Sequence, residues 1–262
     1  MLIESDLLVP FADAVAEIGR PTFPTRLTTF LRAVMPYSYT VIFGYHGQTR
    51  PLDLFDDFPA GKRKIFVTDY LDGPYLLDPF FLAATKPVPA GLYRIRDLAP
   101  DRFYQGEYFR NYYIQTGLAE EIGFFIDLAD GTMVVLSLMR ADKPFTPRDL
   151  RNLEAVRPPV QAAVRLHWAD LETHRASAPP RPDGMGHKIE QSFQQFGAGV
   201  LTAREREIVE YTLKGHSADA VGQVLGISPG TVRIHRRNIY AKLRISSQGE
   251  LFSLFIRAVG RS

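Results

Sequence analysis

The sequence contains no cysteine among its 262 residues. Disulfide bonds, thiolate metal sites, iron–sulfur clusters and cysteine nucleophiles are therefore excluded. It also lacks an apolar run of the roughly 18 residues that a membrane span needs. The first ten residues include Glu4 and Asp6 but no basic segment, so a secretory signal is not expected. These absences predict a bacterial cytoplasmic protein that does not engage a membrane.

Catalytic motifs are missing as well. The chain has no glycine-rich phosphate loop, no nucleophile elbow and no histidines at metal-ligand spacing. Glu120 and Glu121 are adjacent carboxylates, but neighbouring residues point to opposite sides of a strand, and we expect a surface pair there. The sequence thus predicts a protein that is not an enzyme and that uses neither a cofactor nor a metal.

Charge and aromatic residues are distributed unevenly. Residues 1–187 hold 20 Lys and Arg against 23 Asp and Glu, whereas residues 188–262 hold 11 against 6. A basic C-terminal quarter on an acidic body indicates a polyanionic partner, with a solvated basic surface as the alternative. Of the 31 Phe, Tyr and Trp residues, 25 precede residue 188. The N-terminal part can therefore build a large core or a pocket with flat apolar walls.

A domain boundary is visible in the composition. The stretch 177–186 is rich in Pro and Gly and has no periodic apolar pattern, so it cannot hold a helix or a central strand. We predict a first domain at residues 1–176, a linker at 177–198 and a second domain at 199–262. A polyproline ligand at Pro179–Pro182 is the alternative to a plain spacer.

The N-terminal part has the pattern of an α+β domain. Apolar spacing predicts helices over 6–19, 25–35, 61–71, 74–86 and 146–174, and strands over 40–45, 52–55, 123–128 and 132–140. Asp130-Gly131 is a strong hairpin signal between the last two strands. An antiparallel sheet flanked by helices is compatible with a sensory domain of the GAF, PAS or autoinducer-binding kind.

The C-terminal part reads as four short helices that begin after capping residues. Thr202, Ser217, Ser228 and Ser247 are the predicted N-caps. Only the turn 226–228 separates the second helix from the third. A helix, a three-residue turn with Gly and a further helix form the helix-turn-helix pattern.

The third of these helices has two distinct faces. At 100° per residue, Val232, Ile239 and Leu243 fall on a buried stripe, and a different face carries Arg233, Ile234 and Arg237. Residues 231–244 contain five Lys or Arg and no acid. Such a helix suits the DNA major groove, which is about 12 Å wide and offers acceptors to guanidinium groups. A solvated basic helix is the alternative.

Residues 199–259 resemble the DNA-binding domain of LuxR-type (also called NarL-type) transcriptional regulators. The matching stretches are 201–208 (LTAREREI), 214–217 (KGHS), 225–228 (LGIS) and 231–243 (TVRIHRRNIYAKL). The resemblance implies that double-stranded DNA is the partner, with RNA polymerase as a further candidate. Its implied base contacts are Arg233, Ile234 and Arg237, and its implied backbone or flanking contacts are Thr231, His235, Arg236 and Lys242. Gly222 departs from the family pattern and is expected to loosen its helix.

The last helix carries more apolar surface than one partner can cover. Leu251, Leu254, Phe255 and Ala258 form one face, and Phe252, Ile256 and Val259 form a neighbouring one. We expect the first face to cover the domain core and the second to contact a twin subunit. Such a homodimer would bind a palindromic site with half-sites about one helical turn apart. A wider core within one chain is the alternative.

The N-terminal part resembles, over residues 20–170, the autoinducer-binding domain of LuxR-type proteins. The resemblance rests on Phe66 and Tyr70 at the spacing of a Trp–Tyr pair, on Asp78-Pro79, on Tyr93 in place of a second Trp, and on Ser137. It implies a small-molecule effector, which in that family is an acyl-homoserine lactone. Phe66 lacks the indole donor that would hold a lactone carbonyl.

These departures favour a different kind of effector. Asp78 could accept from an amide or ammonium group, and Tyr70, Tyr75 and Tyr93 offer flat walls with hydroxyls. We therefore expect a ligand with an N–H or cationic end and an apolar or aromatic body. The alternatives are a helix-start role for Asp78, plain core packing for the tyrosines and strand packing for Ser137. Tyr104, Tyr108, Phe109, Tyr112 and Tyr113 recur at helical spacing, as a core stripe or as a second pocket wall.

Together these patterns predict a quorum-sensing-like, ligand-controlled transcriptional regulator. The alternative is a ligand-independent regulator whose N-terminal domain serves only dimerisation or protein docking.

Overall fold

A computed structural model describes residues 5–47, 49–86, 88–171, 193 and 195–259 of the chain. Most of the predicted linker lies outside these residues. The described chain forms an N-terminal α+β domain and a C-terminal domain of four helices, as the sequence predicts.

Five strands form the centre of the N-terminal domain. They are β1 Tyr39–Tyr45, β2 Leu52–Asp56, β3 Gly91–Arg94, β4 Glu120–Asp127 and β5 Met133–Arg140. The sheet has the order β2-β1-β5-β4-β3, and every neighbouring pair is antiparallel. The predicted hairpin joins β4 to β5, and Gly131 adopts the left-handed φ of +80° that this tight turn requires.

Helices and irregular turns surround the sheet. The α-helices are α1 Ser5–Ala16, α2 Phe23–Val34, α3 Ala60–Arg63, α4 Pro79–Ala84, α5 Ile95–Leu98, α6 Ile114–Thr116 and α7 Pro147–His167. Short 3₁₀ turns occupy Pro74–Leu77 and Phe103–Gln105. Two π-helical turns, Lys64–Asp69 and Phe109–Tyr113, follow α3 and precede α6. Widened turns of this kind are rare and are often found at functional sites.

The two faces of the sheet bury different cores. Alternate residues of β5 point to opposite sides, so Val134, Leu136 and Leu138 pack with α2 and α7. Val135 and Met139 point the other way, into an aromatic-rich core. That second core is covered by the irregular segments at 58–81 and 95–116 instead of by long helices. The cavity described below lies on this irregular side.

The C-terminal domain contains α8 Ala203–Lys214, α9 Ala218–Leu225, α10 Pro229–Leu243 and α11 Gln248–Val259. The capping predictions are confirmed at α8, α9 and α10, where the side chains of Thr202, Ser217 and Ser228 accept from the third backbone N–H of each helix. Phe193 and Phe196, placed in the linker by the sequence prediction, pack their rings against Phe255 of α11. No described helix combines the length and apolar character that crossing a bilayer demands.

Candidate functional site

Helix α10 is held in place by contacts from both of its neighbours. Val232 and Ile239 are buried as predicted, and Leu243, the third residue of the predicted stripe, is half-buried against the same core. Arg204 of α8 donates to the carbonyl of Leu225, at the end of α9, and so closes the turn before α10. The Lys242 ammonium donates to both Glu205 carboxylate oxygens at 2.7–2.8 Å. These contacts hold one side of α10 against the rest of the C-terminal domain and leave its opposite side exposed to solvent.

The opposite side of α10 is exposed and cationic. Arg233 and Arg237 are both exposed, and neither forms an ion pair with another residue in the described ranges. Ile234 lies beside them with 52% of its surface exposed. Two unpaired guanidinium groups around an exposed apolar side chain match what a helix needs to read base edges.

The four residues predicted to contact the DNA backbone lie in more varied surroundings. The Thr231 hydroxyl hydrogen-bonds with the Ser228 hydroxyl at 2.8 Å, beside the N-terminus of α10. His235 is half-buried. Arg236 is half-buried and donates to the carbonyl of His216 at 3.0 Å, while its buried Nε has no partner in the described chain. Burial is the main cause that lowers the pKa of Arg236, and the positive charges of Arg102 and Arg233 act in the same direction, against Tyr240 and Asp101.

Gly222 has a different role from the one expected. We expected it to loosen α9, yet the helix is continuous over Ala218–Leu225. A Cβ at this position would lie 2.7 Å from the carbonyl oxygen of Ile227, and the Ile227 N–H donates to the Gly222 carbonyl at 2.9 Å. The expectation was wrong because the glycine permits the close approach of the turn to α9.

The N-terminal domain contains a cavity of about 30 Å³ between the sheet and the irregular segments. A space of this size holds about two water molecules or a group of a few atoms, so a larger ligand requires its walls to move. Its lining consists of Val41, Phe43, Tyr45, Phe66, Tyr70, Asp78, Tyr108, Tyr113, Thr116, Leu118, Glu121, Ser137 and Met139. Six aromatic rings and two carboxyl groups therefore meet in one small space.

Asp78 is held by two hydrogen bonds. Its Oδ1 accepts from the Phe80 N–H at 2.9 Å, so it caps α4, and its Oδ2 accepts from the Tyr70 hydroxyl at 2.6 Å. The Tyr70 hydroxyl also lies 3.1 Å from that of Tyr45. The helix-start interpretation of Asp78 is therefore confirmed. Asp78 also lines the cavity, and its role in ligand binding stays a prediction.

The adjacent glutamates are not a surface pair, and that expectation was wrong. Only 5% of Glu120 and 8% of Glu121 is exposed. Glu120 accepts from Arg94 Nε and Nη2 at 2.7 Å and from the Phe145 N–H at 2.7 Å. Glu121 points to the other side of β4 and lines the cavity. The strand begins at 120 rather than at the predicted 123, which carries both residues inside.

The cavity environment shifts both of its carboxyl groups toward the protonated form. Burial raises the pKa of Asp78 to about 6, against the hydrogen bonds from Tyr70 and Phe80. Burial and the nearby Asp78 raise the pKa of Glu121 to about 8, against a hydrogen bond with Ser137. Burial also raises the pKa of Tyr70 and of Tyr113. A charge in this cavity has little solvent to stabilise it.

The structure brings together four of the six residues predicted to bind ligand, namely Phe66, Tyr70, Asp78 and Ser137. Tyr75 and Tyr93 lie outside the lining. The Tyr75 ring packs edge-on against Phe81, and the Tyr93 hydroxyl donates to the Pro89 carbonyl at 2.9 Å. Tyr93 is displaced because it sits on β3, a short edge strand that the sequence analysis missed.

Sequence reasoning also missed some of the cavity. Tyr108 and Tyr113, in the run interpreted as a core stripe or a pocket wall, line the cavity. Glu121 could have been found by extending the alternation of β4 backwards, since it shares a face with Phe125.

The two domains touch beside the helix-turn-helix. The Arg102 N–H donates to the Gly215 carbonyl at 3.0 Å, and Asp101 Oδ1 accepts from the Ser217 N–H at 3.0 Å. Gly215 has a φ of +94°, and a Cβ there would lie 3.2 Å from the Phe103 Cα. This contact joins the N-terminal domain to the turn between α8 and α9.

Comparisons with known proteins agree with this architecture. Residues 199–255 match the family described as bacterial regulatory proteins, luxR family. The chain is 37% identical over 183 residues to the HTH-type transcriptional regulator in the exeN 3′ region of Aeromonas salmonicida, covering 68% of this chain and 93% of that protein. It is 29% identical over 146 residues to the monoamine regulon transcriptional regulator of Klebsiella aerogenes, covering 56% and 54% of the two chains.

One solved structure has the same N-terminal fold. The LBD domain of VqsR from Pseudomonas aeruginosa superposes with a TM-score of 0.55 at 21% identity, covering 62% of this chain and 96% of that one. The relatives are transcriptional regulators rather than enzymes, which is the class that the sequence predicts. The chain belongs to the LuxR family of bacterial DNA-binding transcriptional regulators.

Proposed function

We propose that this regulator responds to a small ligand with an N–H or cationic group, which binds in the N-terminal cavity and controls promoter binding by a homodimer. Residues 1–176 would sense the ligand and dimerise, and residues 199–262 would bind DNA, joined by the linker 177–198. The observation that carries the proposal is the cavity itself, because four residues chosen from the sequence line it together with further aromatic rings and a second carboxyl group.

On the DNA side, Arg233, Ile234 and Arg237 would contact base edges. Thr231, His235, Arg236 and Lys242 would contact the backbone or the flanking positions. Phosphate contacts would supply most of the affinity, and arginine contacts to guanine much of the sequence preference. The exposure of Arg233 and Arg237, without counterions in the described chain, supports this division.

On the ligand side, Asp78 would accept a hydrogen bond from the N–H or cationic end. Its Oδ2 already accepts from Tyr70 and has capacity for a further donor. Phe66 and Tyr70 would contact the body of the ligand, and Ser137 would offer a hydroxyl. Tyr75 and Tyr93 would act indirectly, since neither lines the cavity.

The dimer would use surfaces that the described chain leaves uncovered. Phe252, predicted to face a twin subunit, is 7% exposed and packs within the chain, which favours a wider core at that position. Leu8, Val9 and Val15 of α1 are 53%, 66% and 42% exposed, and they offer a second apolar surface. A dimer on palindromic DNA would place two α10 helices about 34 Å apart, and RNA polymerase would be a further partner at a promoter. Analytical sedimentation of the protein bound to palindromic DNA measures how many chains bind. A single chain on the DNA would refute the proposed dimer.

The DNA-binding assignment is tested by replacing Arg233. We expect Arg233→Ala to cost about 1–3 kcal/mol of binding free energy and to relax specificity at one base position. Binding to a series of single-base variants of the promoter site measures both effects. Arg257→Ala, at an exposed position on α11, is the matched control and should leave the base preference intact. Equal losses on every sequence would refute the base-reading role of Arg233.

A further inference from the structure

The chain treats its two adjacent glutamates in opposite ways. Glu120 receives Arg94 in a two-pronged hydrogen-bonded pair, with Arg96 at 3.3 Å as a second cation. Glu121 has no such partner among the described residues. Its neighbours there are Ser137, Asp78 and Tyr113, and none of the described residues that line the cavity is Lys, Arg or His. In the described chain, one buried carboxyl group of β4 therefore has a cationic partner, and the next one has none.

A pair of carboxyl groups in an apolar cavity is costly without a counterion. An isolated buried carboxylate is disfavoured by several kcal/mol, and two near one another repel when both ionise. Lys62 is close to the cavity wall, but its ammonium group donates to the Thr116 carbonyl at 3.3 Å and lies 5.8 Å from the centre of the Phe66 ring. It is not among the lining residues. No Lys, Arg or His of the described chain lines the cavity, and a bound ligand can supply the positive charge.

The rest of the lining suits a cation. Phe43, Tyr45, Phe66, Tyr70, Tyr108 and Tyr113 surround the two carboxyl groups. Aromatic faces attract ammonium groups, most strongly where water is excluded. The buried Tyr113 hydroxyl has no hydrogen-bond partner in the described chain, although it borders the cavity. An ammonium group carries three donors, which these oxygens can accept.

We infer that the effector is a protonated amine, whose ammonium group binds between Asp78 and Glu121 within the aromatic lining. This inference rests on the proposed ligand-binding function and narrows it, because a cation favours the ionised form of Glu121, whereas an uncharged amide N–H leaves Glu121 protonated. The cavity as it stands accommodates the ammonium end, and the rest of the amine would enter by displacing the π-helical walls at 64–69 and 109–113.

Amine binding should also release protons. An ammonium group favours the ionised form of both carboxyls, and Glu121, with its pKa raised to about 8, is protonated at neutral pH before the ligand arrives. The groups that face it are Asp78 from the start of α4, Tyr113 from the second π-helical turn and Ser137 from β5, and Tyr70, which follows the first π-helical turn, lines the same cavity. Of these, only the two carboxyls titrate between pH 5 and pH 9.

The test uses the full chain and matched pairs of amines and alcohols. The probes are propylamine with propan-1-ol, 2-phenylethylamine with 2-phenylethanol, tyramine with tyrosol, and N-acetyl-2-phenylethylamine as the neutral amide. We expect at least one amine to raise the melting temperature in a saturable way, while its alcohol and the amide do not. Calorimetric titration at pH 7 in two buffers of different ionisation enthalpy should show proton release for that amine.

Variants separate the site from general effects of the amine. Glu121→Gln and Asp78→Asn should each weaken the binding of that amine at least tenfold, whereas Glu154→Gln, on the exposed surface of α7, should not. If an alcohol or the amide binds and the amines do not, the amine inference is overturned and the ligand-responsive function stands. If no amine stabilises the chain, the inference is also overturned, and the DNA-binding function is judged by the Arg233 experiment alone.

Discussion

The exposed face of α10 and the cavity of the N-terminal domain both contain ionisable groups without an oppositely charged partner in the described chain. On α10 these groups are exposed to solvent, and in the cavity they are buried. On α10, Arg233 and Arg237 are solvated cations without counterions in the described chain. In the cavity, Asp78 and Glu121 are buried acids without a cation in the lining. Elsewhere the chain pairs its buried acids carefully, as Glu205 with Lys242 and Glu120 with Arg94. The paired buried acids stabilise the fold, and we propose that Arg233, Arg237, Asp78 and Glu121 lie where a partner binds.

The largest effect is expected where a paired acid is removed. Glu120→Gln leaves Arg94, 13% exposed at its side chain, without its carboxylate. Removing one partner of a buried ion pair costs about 3–5 kcal/mol, since the other charge stays buried and uncompensated. Urea unfolding at pH 7 measures this loss. Glu154→Gln, in the more exposed pair with Arg157, serves as the comparison and should change the free energy of unfolding by less than about 1 kcal/mol.

The neighbouring substitution should have the opposite sign. Because the pKa of Glu121 is raised to about 8 in the folded chain, the unfolded chain ionises it first as pH rises above about 4.5. Folding stability then falls with pH by up to about 1.4 kcal/mol per unit, until the folded chain ionises near pH 8. Glu121→Gln has no carboxyl group to ionise at this position. Its free energy of unfolding relative to the wild type should therefore rise between about pH 4.5 and pH 8.

Unfolding curves of the wild type and Glu121→Gln between pH 4.5 and pH 8.5 measure the difference. We expect near equality at pH 4.5 and a more stable variant at pH 8. A variant that is less stable than the wild type at pH 8 would mean that Glu121 has a structural partner after all. Glu120→Gln provides the contrast, since it should be destabilised throughout.

On α10 the corresponding comparison is between Arg237, which has no ion-pair partner in the described chain, and Lys242, which pairs with Glu205. Arg237→Ala should weaken DNA binding by about 1–3 kcal/mol, which is roughly 5- to 150-fold in Kd, and change the free energy of unfolding by less than about 0.5 kcal/mol. Lys242→Ala removes the ion pair to the buried Glu205 and should lower stability by about 1 kcal/mol. Fluorescence anisotropy measures the DNA affinity of both variants, and urea unfolding measures their free energies of unfolding. Equal losses of stability in the two variants would contradict the claim that Lys242, but not Arg237, stabilises the fold.

The smallest effect is expected at the contact between the domains. Burial opposes ionisation of Asp101, but the hydrogen bonds from Ser217 outweigh it and lower the pKa of this carboxyl. Its contribution is therefore present at neutral pH and lost as pH falls through the folded pKa. Asp101→Ala removes the acceptor for the Ser217 N–H and should lower the melting temperature of the full chain by about 2 °C at pH 7. An unchanged melting temperature would indicate that this contact adds nothing in solution.

The C-terminal domain was the easier half to predict because its signals are local. Thr202, Ser217 and Ser228 cap their helices through residues three positions away, and each bond appears in the structure. Gly222 was misjudged, because its role depends on the approach of Ile227 from outside the helix. Local rules give helix ends and faces, and they say little about close packing.

The cavity depends on contacts between distant segments, and only part of it could be predicted. Asp78 and Tyr70 are eight residues apart and share a turn-rich segment, so sequence could associate them. Glu121 meets Asp78 only because β4 pairs with β5 and the 58–81 segment covers that face. The strand β3 was missed because four residues are too few for a clear alternation of apolar and polar side chains. Tyr93 was therefore predicted to line the pocket, whereas its hydroxyl donates to the Pro89 carbonyl outside the cavity lining.

The central claim is that occupancy of the cavity governs DNA binding. The most direct measurement is the Kd of the full chain for its promoter site, at fixed ionic strength, with and without a saturating amount of the amine that stabilises it most. We expect the Kd to change at least fivefold, a coupling of about 1 kcal/mol or more, and expect no change in Asp78→Asn. An identical Kd with and without the bound amine in the wild type would contradict the account.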